Sequence, residues 1–142
     1  MAQKLILVCD DNDDNRVVFK AVLEHAGFAV VLAEDGLEAM EQARAFTPSL
    51  ILLDLMMPGA TGWEAVARLK ADPVTHQIPV VAVSADMHVN HQALQRAGFC
   101  AFVPKPVLPK ELLDAVERCL EQLEADAAVQ WVKLPAYGRN TL

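Results

Sequence analysis

The stretch Ile51–Glu64, ILLDLMMPGATGWE, puts a single carboxylate, Asp54, at the end of an apolar run and follows it with a Met-Met-Pro-Gly turn. A charge at the end of a buried strand is costly without a partner. The run reads as a strand, and Pro58-Gly59 with Gly62 reads as a tight loop needing special dihedrals. Asp54 then has to be explained by what else arrives at that strand end.

Working outward, short apolar runs alternate with segments of helical period. Lys4–Cys9, Phe28–Ala33, Ser49–Asp54, Ile78–Ala85 and Cys100–Val103 read as strands. Between and after them, Asp14–Ala26, Gly36–Phe46, Gly62–Ala71, Asn90–Ala97 and Pro109–Glu124 read as helices. The expected inward faces are Val17, Val18, Ala21, Val22 and His25 on the first helix. On the second they are Leu37, Met40 and Ala43, and on the last Leu112, Val116, Cys119, Leu120 and Leu123. Gly27 and Gly98 read as helix caps, and Asp72-Pro73 as a stop. Such alternation predicts an α/β fold with a parallel sheet covered by helices on both faces. Pro104 suits an edge strand.

The 142 residues suggest one domain, and 54% hydrophobic with 22% charged residues is a globular composition. The apolar runs are too short to span a bilayer, and Met1–Asn12 lacks the features of a secretory signal. Cys9, Cys100 and Cys119 have no CxxC spacing and read as reduced thiols of a cytoplasmic protein. A net charge of −7 speaks against direct binding of nucleic acid.

Two strands end in acids, Asp10-Asp11 after the first and Asp54 after the third. Ligands of open parallel sheets bind beyond the carboxyl ends of the strands. If the first and third strands are neighbours, three carboxylates converge, and a hard dication with room for waters, Mg²⁺, would hold them together. Ser84 and Lys105, after the fourth and fifth strands, would offer a hydroxyl and an ammonium to a phosphoryl group on Asp54. Singly, each of these is an ordinary cap or loop residue; five at the ends of four strands form a pattern.

Taken together, Asp10-Asp11, DLMMPGATG around Asp54, Val83-Ser84-Ala85 and Ala101–Pro106 (AFVPKP) resemble the receiver domain of two-component response regulators. The resemblance covers about residues 4–124. It implies a flavodoxin-like doubly wound (βα)5 fold with strand order 2-1-3-4-5, a receiver domain over residues 1–124 and a tail over 125–142 without its own domain. It implies that Asp54 accepts a phosphoryl group from a histidine kinase or phosphotransfer protein, and that the chain is not otherwise an enzyme. Asp11 and Asp54 would bind Mg²⁺ directly, Asp10 through water, and Met56 through its backbone carbonyl. Lys105 would pair with Asp54 across a cis Lys105–Pro106 bond. Ser84 and Phe102 would be the switch residues, changing the surface of the fourth helix, fifth strand and fifth helix and so the downstream protein partner.

The sequence departs from the family pattern in three places. Phe102 stands where Tyr is common, Pro104 removes a backbone donor, and Met56 is apolar where a polar side chain can assist hydrolysis. A long-lived phosphoryl group is therefore expected, with Asp86 working the other way. Other readings fit less well. The run DDNDD lacks the Gly and Glu of a calcium loop. Met56 replaces the second Asp of phosphatases with an Asp nucleophile. Asp10–Asp14 would repel the phosphate of a flavin. His76, His88 and His91 read as exposed residues rather than a metal site.

The tail is too short for a DNA-binding domain, which suggests a single-domain regulator; a receiver fragment of a hybrid histidine kinase or larger regulator is the alternative. Trp131 and Tyr137 in the tail suggest docking or a homodimer, against the plain reading of a disordered end.

Overall fold

The computed structural model describes residues 3–125, with side chains to residue 122. Leu123 of the last helix, and the expected tail with Trp131 and Tyr137, lie outside those side chains. Five strands and five helices alternate: β1 Leu5–Cys9, α1 Asp13–His25, β2 Ala29–Ala33, α2 Gly36–Phe46, β3 Leu50–Asp54, α3 Gly62–Ala71, β4 Val80–Ser84, α4 His91–Ala97, β5 Phe99–Pro104 and α5 Pro109–Ala125. All strand pairs are parallel, in the order β2-β1-β3-β4-β5. Among the described residues no helix is long and apolar enough to cross a membrane.

Every residue of β3 and β4 is buried, as expected of strands with helices on both faces. Side chains of the central strands β1 and β3 alternate between two cores. Leu7, Cys9, Ile51 and Leu53 pack with Ala39, Ala43, Ala65, Val66, Leu69 and Leu94, from α2, α3 and α4. Ile6, Val8, Leu50 and Leu52 pack with Phe19, Leu23, Leu112, Val116, Cys119 and Leu120, from α1 and α5. Each fully buried Leu or Ile contributes about 1.5–3 kcal/mol of transfer free energy.

Two helix faces differ from expectation. On α1 the inward residues are Arg16, Phe19 and Leu23, whereas Val17 and Val18 are 65% and 53% exposed and Ala21 and His25 also face outward. Of the predicted set only Val22 is half-buried. On α2, Leu37 is exposed, Met40 is half-buried, and Gly36, Ala39 and Ala43 face the sheet. At its start α2 lies so close to the neighbouring chain that a Cβ on Gly36 would come within 3.0 Å of the Ala60 Cβ.

Strand limits also shift. β4 begins after Pro79, because the Ile78 carbonyl accepts the Lys70 ammonium at 2.9 Å rather than a strand partner. β4 ends at Ser84, whose Oγ accepts the Asp86 N–H and turns the chain. β5 starts at Phe99, which pairs with Val80 across an irregular register.

Pro104 lies within this edge strand. The Lys105 N–H donates to the Ser84 carbonyl at 2.9 Å, so the alternate Pro104 nitrogen faces away from β4 and its missing donor costs the ladder nothing. The Lys105–Pro106 bond is cis, as expected.

Candidate functional site at the carboxyl edge of the sheet

The site follows from register. Cys9 pairs with Leu53 and Asp54 with Val83, so Asp10 and Asp54 leave adjacent strands at one level, and Ser84 emerges one residue beyond. Asp10, Asp11 and Asp54 each offer an oxygen, and the three lie within 4.8 Å of one another. Asp10 and Asp54 are 0% and 3% exposed; Asp11 is exposed.

Lys105 reaches this cluster from the end of β5. Its Nζ donates to Asp54 Oδ2 at 3.0 Å and to Asp10 Oδ2 at 3.1 Å. The other Asp54 oxygen accepts the Met56 N–H at 3.0 Å. Asp10 Oδ1 accepts the Asn12 N–H at 2.9 Å, and Asn15 Nδ2 reaches both Asp10 oxygens at 3.4 and 3.3 Å.

Burial pushes the Asp54 carboxyl above the ordinary Asp range, against the opposing pull of the Met56 N–H and Lys105. Burial also opposes the Lys105 ammonium, but its bonds to Asp54 and Asp10 outweigh this and raise its pKa.

Sequence reasoning missed Arg16 and Asn15. The Arg16 guanidinium, buried under α1, donates to the Asp10 carbonyl and pairs with Asp13. These residues fix the Asp10 backbone and carboxylate. Their signal was faint, a polar pair within an acidic run.

The loop after β3 is held from below. A Cβ on Gly62 would lie 2.4 Å from the Asp54 carbonyl oxygen and 2.7 Å from Leu55 Cα, so only glycine lets the start of α3 press against the end of β3. Thr61 and Glu64 close that helix with a capping box.

The remaining predicted residues are placed as follows. The Met56 side chain is exposed. Ser84 is buried with its hydroxyl bonded to the Asp86 N–H, while the Asp86 carboxylate accepts the His88 N–H at 2.8 Å. Phe102 is away from the carboxylates, buried in the α2–α3–α4 core with its ring 5.7 Å from that of His91. His91 is thus half-buried by the aromatic contact, contrary to expectation, while His76 and His88 are exposed.

Three carboxylates and one ammonium leave two negative charges on hard oxygen donors, which fits a divalent cation such as Mg²⁺.

The model of the response regulator receiver domain matches residues 6–117, and the chain belongs to that family. The polar-differentiation response regulators DivK of Brucella anthropi and Brucella ovis are each 30% identical over 118 residues, covering 82% of this chain and 96% of the relative. Among solved structures, chemotaxis protein CheY4 of Vibrio cholerae superposes with a TM-score of 0.79 at 27% identity, covering 83% of this chain and 99% of that one. The receiver domain of a sensor histidine kinase from Pseudomonas aeruginosa, with magnesium coordinated in its active-site cleft, gives 0.78 at 27% identity, covering 84% and 99%. The fold is the CheY-like flavodoxin fold, and the chain is a receiver domain of the two-component class.

Proposed function

We propose that Asp54 is the phosphoacceptor and that residues 1–124 work as the receiver unit, with 125–142 as an appended tail. The observation that carries this reading is the buried Asp54 carboxylate, clustered with Asp10 and Asp11 and bridged by Lys105. An Asp54 oxygen attacks the phosphorus of a phosphohistidine on a kinase or phosphotransfer protein. The P–N bond breaks, and the imidazole leaves with the electron pair and takes up a proton. Lys105 turns from the Asp54 oxygen toward the phosphoryl oxygens, and the Ser84 hydroxyl gives up the Asp86 N–H to reach the same group. Such transfer needs mainly positioning and charge neutralisation.

Asp11 and Asp54 would hold Mg²⁺ directly, with Asp10 through water and the Met56 carbonyl as a further ligand. When bound, the ion supplies positive charge opposite the carboxylate and phosphoryl oxygens.

Phosphorylation then favours a second arrangement of Ser84 and Phe102 and alters the α4-β5-α5 surface, changing the protein partner. The chain acts as a cytoplasmic phosphoacceptor switch rather than an enzyme on free substrates. Similarity to a kinase-borne receiver favours a second reading, a receiver unit of a hybrid kinase.

Phosphotransfer from an acyl phosphate or a phosphorylated kinase, run on the parent and Asp54→Asn, tests the assignment. Labelling of the parent alone, abolished by chelating Mg²⁺, is expected. Equal labelling of both chains would overturn it.

A further inference from the structure

Two of the three cysteines belong to a feature the phosphoryl site does not use. Along β4 and β5, Val80 pairs with Phe99 and the next residue, Val81, pairs with Ala101. Cys100 is therefore the extra residue of a β-bulge on the edge strand. Bulges re-aim side chains. Here the half-buried Cys100 thiol leaves the ladder, donates to the Val80 carbonyl at 3.3 Å, and packs on the α1–α5 core. That core holds Cys119, on the inner face of α5 and 2% exposed. The Cys100 and Cys119 thiols are near enough there to influence each other.

The surroundings give the two sulfurs different tasks. The neighbouring Cys100 thiol, and then burial, push the Cys119 thiol pKa up and keep it protonated. Cys100, half-buried on the edge strand, is the more accessible of the pair. Cys9 cannot take part. It is buried in the core on the opposite face of the sheet, bonded to the Asp35 carbonyl and the Met57 sulfur, and burial raises its thiol pKa.

We propose that Cys100 and Cys119 form an oxidation site, at which a hydroperoxide converts the two thiols into a disulfide tying β5 to α5. The Cys100 sulfur attacks the terminal peroxide oxygen and the O–O bond breaks. This leaves a sulfenic acid and an alcohol, or water from hydrogen peroxide, which takes the Cys100 proton. The Cys119 sulfur then attacks the Cys100 sulfur, the S–O bond breaks, and hydroxide leaves with the Cys119 proton as water. Two thiols supply two electrons, and the peroxide accepts both.

The ring so closed contains Lys105 and the start of α5, and it clamps the seam between β5 and α5. Only the consequence, a receiver held against the rearrangement of its α4-β5-α5 surface, rests on the function proposed above; the bond itself does not.

The test is hydrogen peroxide on the folded full chain, followed by alkylation, intact mass and a non-reducing digest. Expected are a chain lighter by two hydrogens, with Cys9 alone alkylated, and a Cys100–Cys119 linked peptide that persists in Cys9→Ser. In Cys119→Ser, or Cys119→Ala if the serine disturbs the core, a dimedone adduct on Cys100 is expected. The oxidised parent should unfold at higher urea, reversibly with a thiol reductant. Over-oxidation of Cys100 with Cys119 still free, or a link only between two chains, overturns the proposal. Failure of Asp54 labelling in reduced and oxidised chains alike would count against the phosphoacceptor reading and leave the disulfide standing.

Discussion

Lys105 reaches over the end of β4 to Asp54 on β3, its Nζ 3.0 Å from Oδ2, although the two residues lie 51 positions apart in the chain. The same ammonium is 3.1 Å from Asp10, so a single cation serves two buried carboxylates. Lys105→Met should remove about 2 kcal/mol of stability, since it leaves charged groups buried without their donor. The loss should shrink when Mg²⁺ is added. Urea unfolding with and without the ion gives both numbers, and an identical loss in both would contradict the shared-cation account.

The pH dependence has a definite sign. Burial raises the Asp54 pKa above 3.8, so the folded chain holds this proton more tightly than the unfolded chain. Its contribution to stability falls as pH climbs from the ordinary Asp value through the folded one, and ionised Asp54 destabilises the metal-free fold at neutral pH. Asp54→Asn should therefore stabilise the metal-free chain at pH 7, by about 1 kcal/mol, with the gain fading in acid. Lys105 acts at the other end: its raised pKa gives stability below 10.5 that is lost at higher pH. Denaturation midpoints across pH check both signs.

Mg²⁺ should stabilise the chain by mass action, by about 2.7 kcal/mol at a hundredfold excess over the dissociation constant. Asp11→Ala should abolish this gain with little change in the metal-free fold, because Asp11 is exposed. A thermal melt that ignores Mg²⁺ in the parent would refute the metal assignment.

Gly62→Ala would drive a methyl into the Asp54 carbonyl and the Leu55 backbone. A cost of about 3 kcal/mol is expected, together with weaker Mg²⁺ binding as the end of β3 shifts. Unchanged metal affinity in a folded variant would separate the two effects and disprove their coupling.

The exposed Met56 offers no polar group to a hydrolytic water, and the Asp86 carboxylate is engaged by the His88 N–H. Met56→Asn should shorten the phosphoryl lifetime on the order of tenfold, a barrier change of about 1.4 kcal/mol. The decay of labelled protein after removal of the donor measures it; a lifetime of a few seconds or less in the parent would remove the expectation.

The sheet was legible because its strands are short continuous runs of Val, Ile and Leu, and the acids at their ends stand out against them. Helix faces were harder. On α1 the count of apolar residues favoured Val17 and Val18, yet Arg16 is buried because its guanidinium finds the Asp10 carbonyl and Asp13. A periodicity that scores Arg as polar cannot foresee that partner. Likewise, the half-burial of His91 depends on Phe102, which reaches it only through tertiary packing. The bulge at Cys100 left no trace in composition, since it is a property of the pairing between β4 and β5.

Pro104 also limits how copies of the molecule can associate. β5 is an outermost strand, and an incoming strand would need amide donors along its free flank. Near the carboxylate cluster that flank presents a pyrrolidine ring instead. Edge-to-edge polymerisation is thereby discouraged at the carboxyl end of the sheet, where the acidic cluster lies, and encounters there are left to side chains.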